Sequence, residues 1–158
     1  MARLFALALI ALAALLPGRA GAAGTMPPDN AAPMAVVQGF YRADAHDYEP
    51  YSRRLRALFK AAVDNSHARD IPVAGLDFDF VVNGQDNEPD TYRSARFTLV
   101  SQAGNRAEVK VTFRNGGAQE LRYTLVLEGG RWLMDDVRSV AGERWLWSEM
   151  LIRGAREK

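Results

Sequence analysis

Two aspartates separated by a single residue form the most chemically suggestive feature of the sequence. Asp77 and Asp79 alternate with three apolar residues, Leu76, Phe78 and Phe80. This period of two predicts a β-strand, on which both carboxylates point to the same face at a separation of roughly 6–7 Å. Paired carboxylates perform acid–base chemistry when burial moves their pKa values apart. The alternative is that both are solvated or paired with arginine side chains.

A polar turn, Asn83–Asp90, follows these aspartates and contains further oxygen ligands. Asp86 and Glu88 could join the aspartate pair around a hard cation. The turn lacks the ligand spacing and the terminal glutamate of a calcium loop, so we expect no metal site and no cofactor. Gln85 and Asp86 are expected either to hold the turn through bonds to its backbone or to face a ligand.

Aromatic and basic residues supply the other candidate contacts. We expect three aromatic residues at the mouth between helices and sheet, with core packing as the alternative: Tyr41, Trp145 and Trp147. Four basic residues form one face of a predicted helix, either a solvated face or a binder of phosphate or anionic lipid: Arg53, Arg54, Arg56 and Lys60. The residues assigned to ligand binding are Tyr41, Asp77, Asp79, Gln85, Asp86 and Trp145.

Recognisable catalytic motifs are absent from the sequence. It contains no Gly-x-Ser-x-Gly elbow, no phosphate-binding loop and no His-x-x-x-His pair. His46 and His67 lie in polar segments outside the apolar stripes. The chain has no cysteine, which excludes thiol nucleophiles, thiolate metal sites and disulfides. We therefore assign no catalytic residue and expect binding rather than catalysis.

The N-terminus has the pattern of a secretory signal peptide. Arg3 precedes a 13-residue apolar run, Leu4–Leu16, and Ala20-Gly21-Ala22 is a small-x-small cleavage site. The run is shorter than the roughly 20 residues that a membrane-spanning helix needs. We predict cleavage after Ala22, a periplasmic or secreted protein and, without a cysteine for lipid attachment, no stable membrane anchor. The alternative is that this segment is not cleaved and anchors the protein in the membrane.

The charge balance bears on the choice of partner. Cleavage of residues 1–22 removes Arg3 and Arg19 but no acidic residue, so the 20 basic residues become 18 against 19 acidic ones. The resulting net charge of −1 argues against nucleic acid as the partner. We expect an unidentified protein or small molecule instead, bound by a monomer or a weak dimer.

The apolar pattern divides the chain into helices followed by strands. Residues 23–32 form a flexible leader, and a single domain covers 33–153 with a tail over 154–158. Stripes of apolar residues predict a short helix from Pro33, a second helix over Tyr51–Val63 and a last one around Leu146–Leu151. Residues with a period of two predict strands near 76–80, 95–100, 107–114, 121–128 and 131–137. Glycine-containing turns between most of them predict an antiparallel meander with one apolar and one polar face.

Two motifs resemble a known family. They are Leu76–Phe80 followed by Asn83-Gly84-Gln85-Asp86, and the segment Gly130–Val137 that begins Gly-Arg-Trp. Together they are similar to a secreted bacterial family, domain of unknown function 3828, of the nuclear-transport-factor-2-like superfamily. The resemblance covers about Ala35 to Ile152. It implies an α+β cone, with N-terminal helices packed on a curved antiparallel sheet, and a periplasmic or secreted setting, but no established activity.

Two functions follow from these expectations. The first is an exported, non-catalytic binding module, in its most concrete form a protective, immunity-type partner of a cell-wall hydrolase. The alternative is a small isomerase or dehydratase that uses Asp77 or Asp79 as its base and Tyr41 as a donor. The alternative requires an aspartate that points into the pocket, whereas the apolar pattern points Leu76, Phe78 and Phe80 inward.

Overall fold

A computed structural model describes residues 32–42 and 49–158. The predicted signal peptide, most of the leader and His46 lie outside these residues. Within these residues, four helices and four strands follow one another: α1 Pro33–Phe40, α2 Arg53–Arg69, α3 Thr91–Ser94, β1 Arg96–Ala103, β2 Arg106–Arg114, β3 Ala118–Glu128, β4 Arg131–Ser139 and α4 Trp147–Gly154. Among the helices described, none is long and apolar enough to cross a membrane.

The four strands form one antiparallel sheet in the order β1-β2-β3-β4, which confirms the predicted α+β class and the meander. Inward-facing residues of β2 are all buried, as their alternation predicts: Ala107, Val109, Val111 and Phe113. Helix α1 packs on β1, β2 and β4, and α2 and α4 pack on each other and on β4. The helices therefore cover the apolar face of the sheet, and the core lies between the two layers.

The opposite face of the sheet carries a network of ion pairs within and between strands β2, β3 and β4. Arg122 on β3 contacts Glu108 at 3.1 Å and Glu120 at 2.8 Å. Arg138 on β4 contacts Glu108 at 2.6 Å. Cross-strand pairs of opposite charge add modest stability, and the network makes this face polar, as the sequence predicts.

The predicted bounds of α2 are wrong at both ends. The helix begins at Arg53 because the Ser52 hydroxyl group caps it, accepting a hydrogen bond from the Leu55 N–H at 3.0 Å. Tyr51 instead forms an isolated bridge to Met134 on β4. The helix also passes the expected stop at Asn65-Ser66 and ends where Asp70 adopts a left-handed conformation, φ 56°.

The strand predicted over Leu76–Phe80 is also wrong, because this segment is a series of turns. Gly75 adopts a φ of +87°, and a Cβ there would lie 3.0 Å from the Leu151 N atom on α4, so the chain turns tightly against that helix. Asp79 takes part in a single bridge, with Gly84. The alternation nevertheless separates buried Phe80 from exposed Asp77 and Asp79.

Bulges interrupt the register at two places in the sheet. In β1 the register shifts between Leu99 and Ser101. Leu99 pairs with buried Val109 and so faces inward as predicted, but it lies on the edge strand of the sheet and is 42% exposed. In β4, Thr124 pairs with Asp136 and Leu125 with Met134, which leaves Asp135 as an extra residue. A bulge of this kind re-aims the side chains beside it, and here both Asp135 and Asp136 reach Arg54.

Candidate ligand groove beside Trp145

Trp145 is held in place by a hydrogen bond and by a ring contact. Its indole N–H donates to the Asn83 side-chain oxygen at 2.8 Å. Asn83 itself has a left-handed φ of 54°, and its amide donates to Gln119 at 2.8 Å. The Phe78 ring packs edge-on at a centroid distance of 5.1 Å. The indole ring is therefore fixed between the turn before α3 and the segment before α4, and part of it remains accessible.

A groove of about 420 Å³ lies beside this ring, and we call it the Trp145 groove. Its lining residues come from the turn segment, from the residues before α4 and from α4 itself: Asp77, Phe78, Asn83, Gly84, Gln85, Glu143, Arg144, Trp145, Leu146, Glu149, Met150 and Arg153. A second cavity of about 440 Å³ shares Arg144, Trp145 and Glu149 with it and extends to Arg138 on β4. The size is typical of sites that bind small ligands or a peptide segment.

Charged side chains of both signs line the Trp145 groove. Glu143 and Arg144 are neighbours before α4, and Glu149 and Arg153 are four residues apart on α4. Within residues 32–42 and 49–158, none of these four side chains makes a hydrogen bond or ion pair. Arg54, Arg122 and Arg138, by contrast, are all paired with carboxylates. The groove therefore contains four charged side chains that form no ion pair within the described residues.

Three of the six residues predicted to bind a ligand meet at this groove: Asp77, Gln85 and Trp145. Asp77 also accepts a hydrogen bond from the Gly75 N–H at 3.2 Å, and Gln85 donates weakly to the Asp77 carbonyl at 3.5 Å. Asp86 lies just beyond the groove, where its carbonyl accepts from the Asn115 amide at 2.9 Å. The turn residues therefore combine a role in holding the loop with access to the groove.

Tyr41 lies elsewhere, in an aromatic cluster between α1 and the sheet. Its hydroxyl group donates to the Val81 carbonyl at 3.0 Å and lies 3.1 Å from the Tyr123 hydroxyl group. Because the single proton of Tyr41 goes to Val81, Tyr123 must donate to Tyr41. Burial raises the pKa of both hydroxyl groups. These two phenols form a completed hydrogen-bond chain inside the fold.

Asp79 lies near this cluster, and not at the Trp145 groove. One of its carboxylate oxygens accepts from the Val81 N–H at 2.8 Å. The residue is exposed, but partial desolvation of its carboxylate raises its pKa, and the bond from Val81 offsets part of that increase. Its charge in turn contributes to the raised pKa of Tyr41. The structure therefore separates the two predicted aspartates, since Asp77 lines the groove and Asp79 does not.

A pair of buried acids, Asp135 and Asp136, was not among the predicted site residues. Each is 8% exposed, and the β4 bulge allows both to reach Arg54: Nε lies 3.1 Å from Asp135 and Nη2 lies 3.2 Å from Asp136. Asp135 also accepts from the Ser52 hydroxyl group at 2.6 Å. Two successive acids inside the apolar segment Trp132–Val137 were the signal that could have identified them.

Two residues of the predicted basic face of α2 form ion pairs within the fold. Arg54 is committed to the two aspartates, and Lys60 pairs with Asp64 one helical turn away at 2.6 Å. Two of the four basic side chains on this face are therefore already paired with carboxylates, which weakens the interpretation of the face as an anion-binding site. In the described part of the chain, no group of three or more histidine, aspartate or glutamate side chains could hold a metal ion.

Comparisons of this chain with protein-family models, with curated proteins and with solved structures find no match.

Proposed function

We propose that this chain is an exported, non-catalytic binding module and that the Trp145 groove is its ligand site. The supporting observation is an anchored indole ring beside four charged side chains that have no partner within the described residues. Groups left unpaired around a concave site are available to a ligand. The chemistry of the groove requires neither a nucleophile nor a cofactor.

The exported setting and the cone fold are parts of the same proposal. The setting is supported by Arg3, the apolar run Leu4–Leu16 and the small-x-small site that ends at Ala22. The fold is supported by helices packed on one face of a four-stranded antiparallel meander. A monomer or weak dimer is favoured because the open face of the sheet carries ion pairs around Arg122 and Glu108, whereas the cores of protein interfaces are depleted of charge.

The concrete form of the proposal is a protective, immunity-type protein that binds a cell-wall hydrolase. The Trp145 groove would receive a segment of the hydrolase, with Trp145 as the aromatic anchor. Buried aromatic and arginine residues dominate the energy of such interfaces, and the groove contains Trp145, Arg144 and Arg153.

The test is a thermal-shift and pull-down screen of the purified protein against exported proteins and small ligands, followed by direct titration of each hit. We expect Trp145→Ala to lose binding, because it removes the anchoring ring. The control, Tyr92→Ala, removes an aromatic side chain that is 40% exposed and lies outside the groove, and it should bind normally. If every hit binds Trp145→Ala as tightly as the natural protein, the groove is not the site.

A second candidate function, the isomerase or dehydratase, is favoured by one observation. Asp79 lies close enough to Tyr41 to affect its pKa, and its own pKa is raised, as a general base requires. Against this role, the Tyr41 proton is committed to the Val81 carbonyl. An NMR titration that gives Asp79 an ordinary aspartate pKa would remove the support for this candidate.

A further inference from the structure

The two charged residues of α4 in the Trp145 groove have a defined spacing. Glu149 and Arg153 are four residues apart, so their side chains project from the same face, with a rise along the axis of about 6 Å. An acid four residues before a base is the favourable order for an ion pair within a helix, yet within the described residues these two side chains are not paired with each other or with any other group. Both are exposed and line the groove.

The turn segment adds one charge and one amide to the groove, from Asp77 and Gln85. Trp145 and Phe78, whose rings are in contact, supply an aromatic surface. The groove therefore combines carboxylates, arginines and an aromatic surface.

The mixture of charges restricts the kind of ligand. A neutral ligand would remove water from several charged groups without replacing the lost hydrogen bonds, which is unfavourable. A ligand of a single charge sign would meet like charges in the groove, which costs binding energy. A ligand that carries both signs can pair with Glu149 and with Arg153.

We propose that the Trp145 groove binds an extended peptide segment in which a basic and an acidic side chain are separated by one residue. Side chains at positions i and i+2 of an extended peptide point to the same side about 6–7 Å apart, which matches the Glu149–Arg153 spacing. The basic side chain pairs with Glu149, the acidic side chain pairs with Arg153, and the peptide backbone crosses the Trp145 ring. This inference rests on the proposed function and names the ligand class of the same groove.

The experiment follows the indole N–H signal of Trp145 by NMR, assigned with Trp145→Phe. The probes are the blocked tripeptide acetyl-Lys-Ala-Glu-amide, its single-sign counterparts acetyl-Lys-Ala-Lys-amide and acetyl-Glu-Ala-Glu-amide, and the neutral sugar N,N′-diacetylchitobiose. We expect the mixed tripeptide to move the signal in a saturable manner, with an affinity that weakens as salt is added. The other three probes should leave the signal nearly unchanged.

Charge reversals test the pairing directly. Glu149→Arg and Arg153→Glu should each weaken binding of the mixed tripeptide by about tenfold. The double reversal Glu149→Arg with Arg153→Glu restores a mixed pair, so binding should return to within about threefold of the natural protein. Arg114→Gln, at an exposed arginine outside the groove, is the control.

Three outcomes would overturn the inference. If the sugar or a single-sign peptide moves the Trp145 signal and the mixed peptide does not, the groove binds a ligand, so the proposed function stands and the peptide inference fails. If the single reversals leave binding unchanged, the helix charges are not the contacts. If no probe moves the signal, the inference fails, and the separate screen with Trp145→Ala still decides the proposed function.

Discussion

The carboxylate of Asp136, on β4, holds both the backbone N–H and the hydroxyl group of Ser148 in the first turn of α4. The N–H lies 3.1 Å from one carboxylate oxygen, and the hydroxyl group donates to the other. The first N–H groups of a helix have no partner within the helix, so Asp136 acts as a cap supplied by another element. Because α4 carries Glu149, Met150 and Arg153, this contact positions one wall of the Trp145 groove.

Asp136→Ala should destabilise the fold by about 2–3 kcal/mol, because it removes charge-assisted hydrogen bonds to Ser148 and to Arg54. Arg54 is 47% exposed, so water replaces part of what it loses, which keeps the loss below that of a fully buried pair. Chemical denaturation measures the difference. The control, Asp64→Ala, breaks an exposed pair with Lys60 and should cost less than about 0.5 kcal/mol. Equal effects of the two substitutions would contradict the capping role.

Gly154→Ala should destabilise the protein by about 1–3 kcal/mol, although alanine is ordinarily the better helix former. A Cβ on Gly154 would clash with the Ala74 carbonyl oxygen, so α4 would have to shift away from the segment that precedes the groove. Thermal unfolding measures the change. A variant as stable as the natural protein would show that α4 does not approach Ala74 this closely.

Tyr41→Phe should cost about 1–3 kcal/mol, because it removes the bond to Val81 and leaves the buried Tyr123 hydroxyl group without its acceptor. Urea unfolding measures the loss. Tyr92→Phe serves as the matched control, since its side chain is exposed, and should stay within about 0.5 kcal/mol of the natural protein. If Tyr41→Phe leaves the free energy of unfolding unchanged, the hydroxyl pair contributes nothing to the stability of the fold.

Asp79 should make stability depend on pH in a defined direction. Its pKa in the folded protein is raised from an ordinary value of 3.8, so the folded state holds this proton more tightly than the unfolded state does. The stabilisation that this group contributes is therefore fully present at pH values below its ordinary pKa. It is lost as the pH rises through the pKa that the group has in the folded protein. Asp79→Asn should remove this component and be at least as stable as the natural protein at pH 7. Parallel urea titrations at pH 3 and pH 7 measure it, and a larger loss for Asp79→Asn at pH 7 would contradict the assignment.

The sequence pattern correctly predicted the elements in which buried residues recur at one regular spacing. The alternation of Val109, Val111 and Phe113 identified β2 and its inward face, because both strand and burial repeat every two residues. Leu76–Phe80 shows the limit of this reasoning. The same alternation occurs there in a turn segment, since Gly75 and its approach to Leu151 depend on α4, which is distant in sequence.

The candidate site was predicted only in part, because residue type alone identifies some of its members and not others. Gln85, Asp77 and Trp145 were identified by residue type, and the fold brings them together. Glu149 and Arg153 were not, because an acid and a base on an exposed helix face have no signature of their own in the sequence. Asp135 and Asp136 could be noticed as acids within an apolar segment, but their pairing with Arg54 depends on a bulge that is visible only in the register of β3 and β4.

The most direct test of the central claim is a map of backbone amide shifts when the protein is titrated with a ligand or partner from the screen. We predict that the largest changes fall on Asn83, Gln85, Trp145 and Glu149, which line the groove, and that Tyr41 and Leu99 stay still. Changes confined to the Tyr41 cluster or to the edge strand β1, with the groove signals unmoved, would contradict the assignment of the Trp145 groove as the binding site.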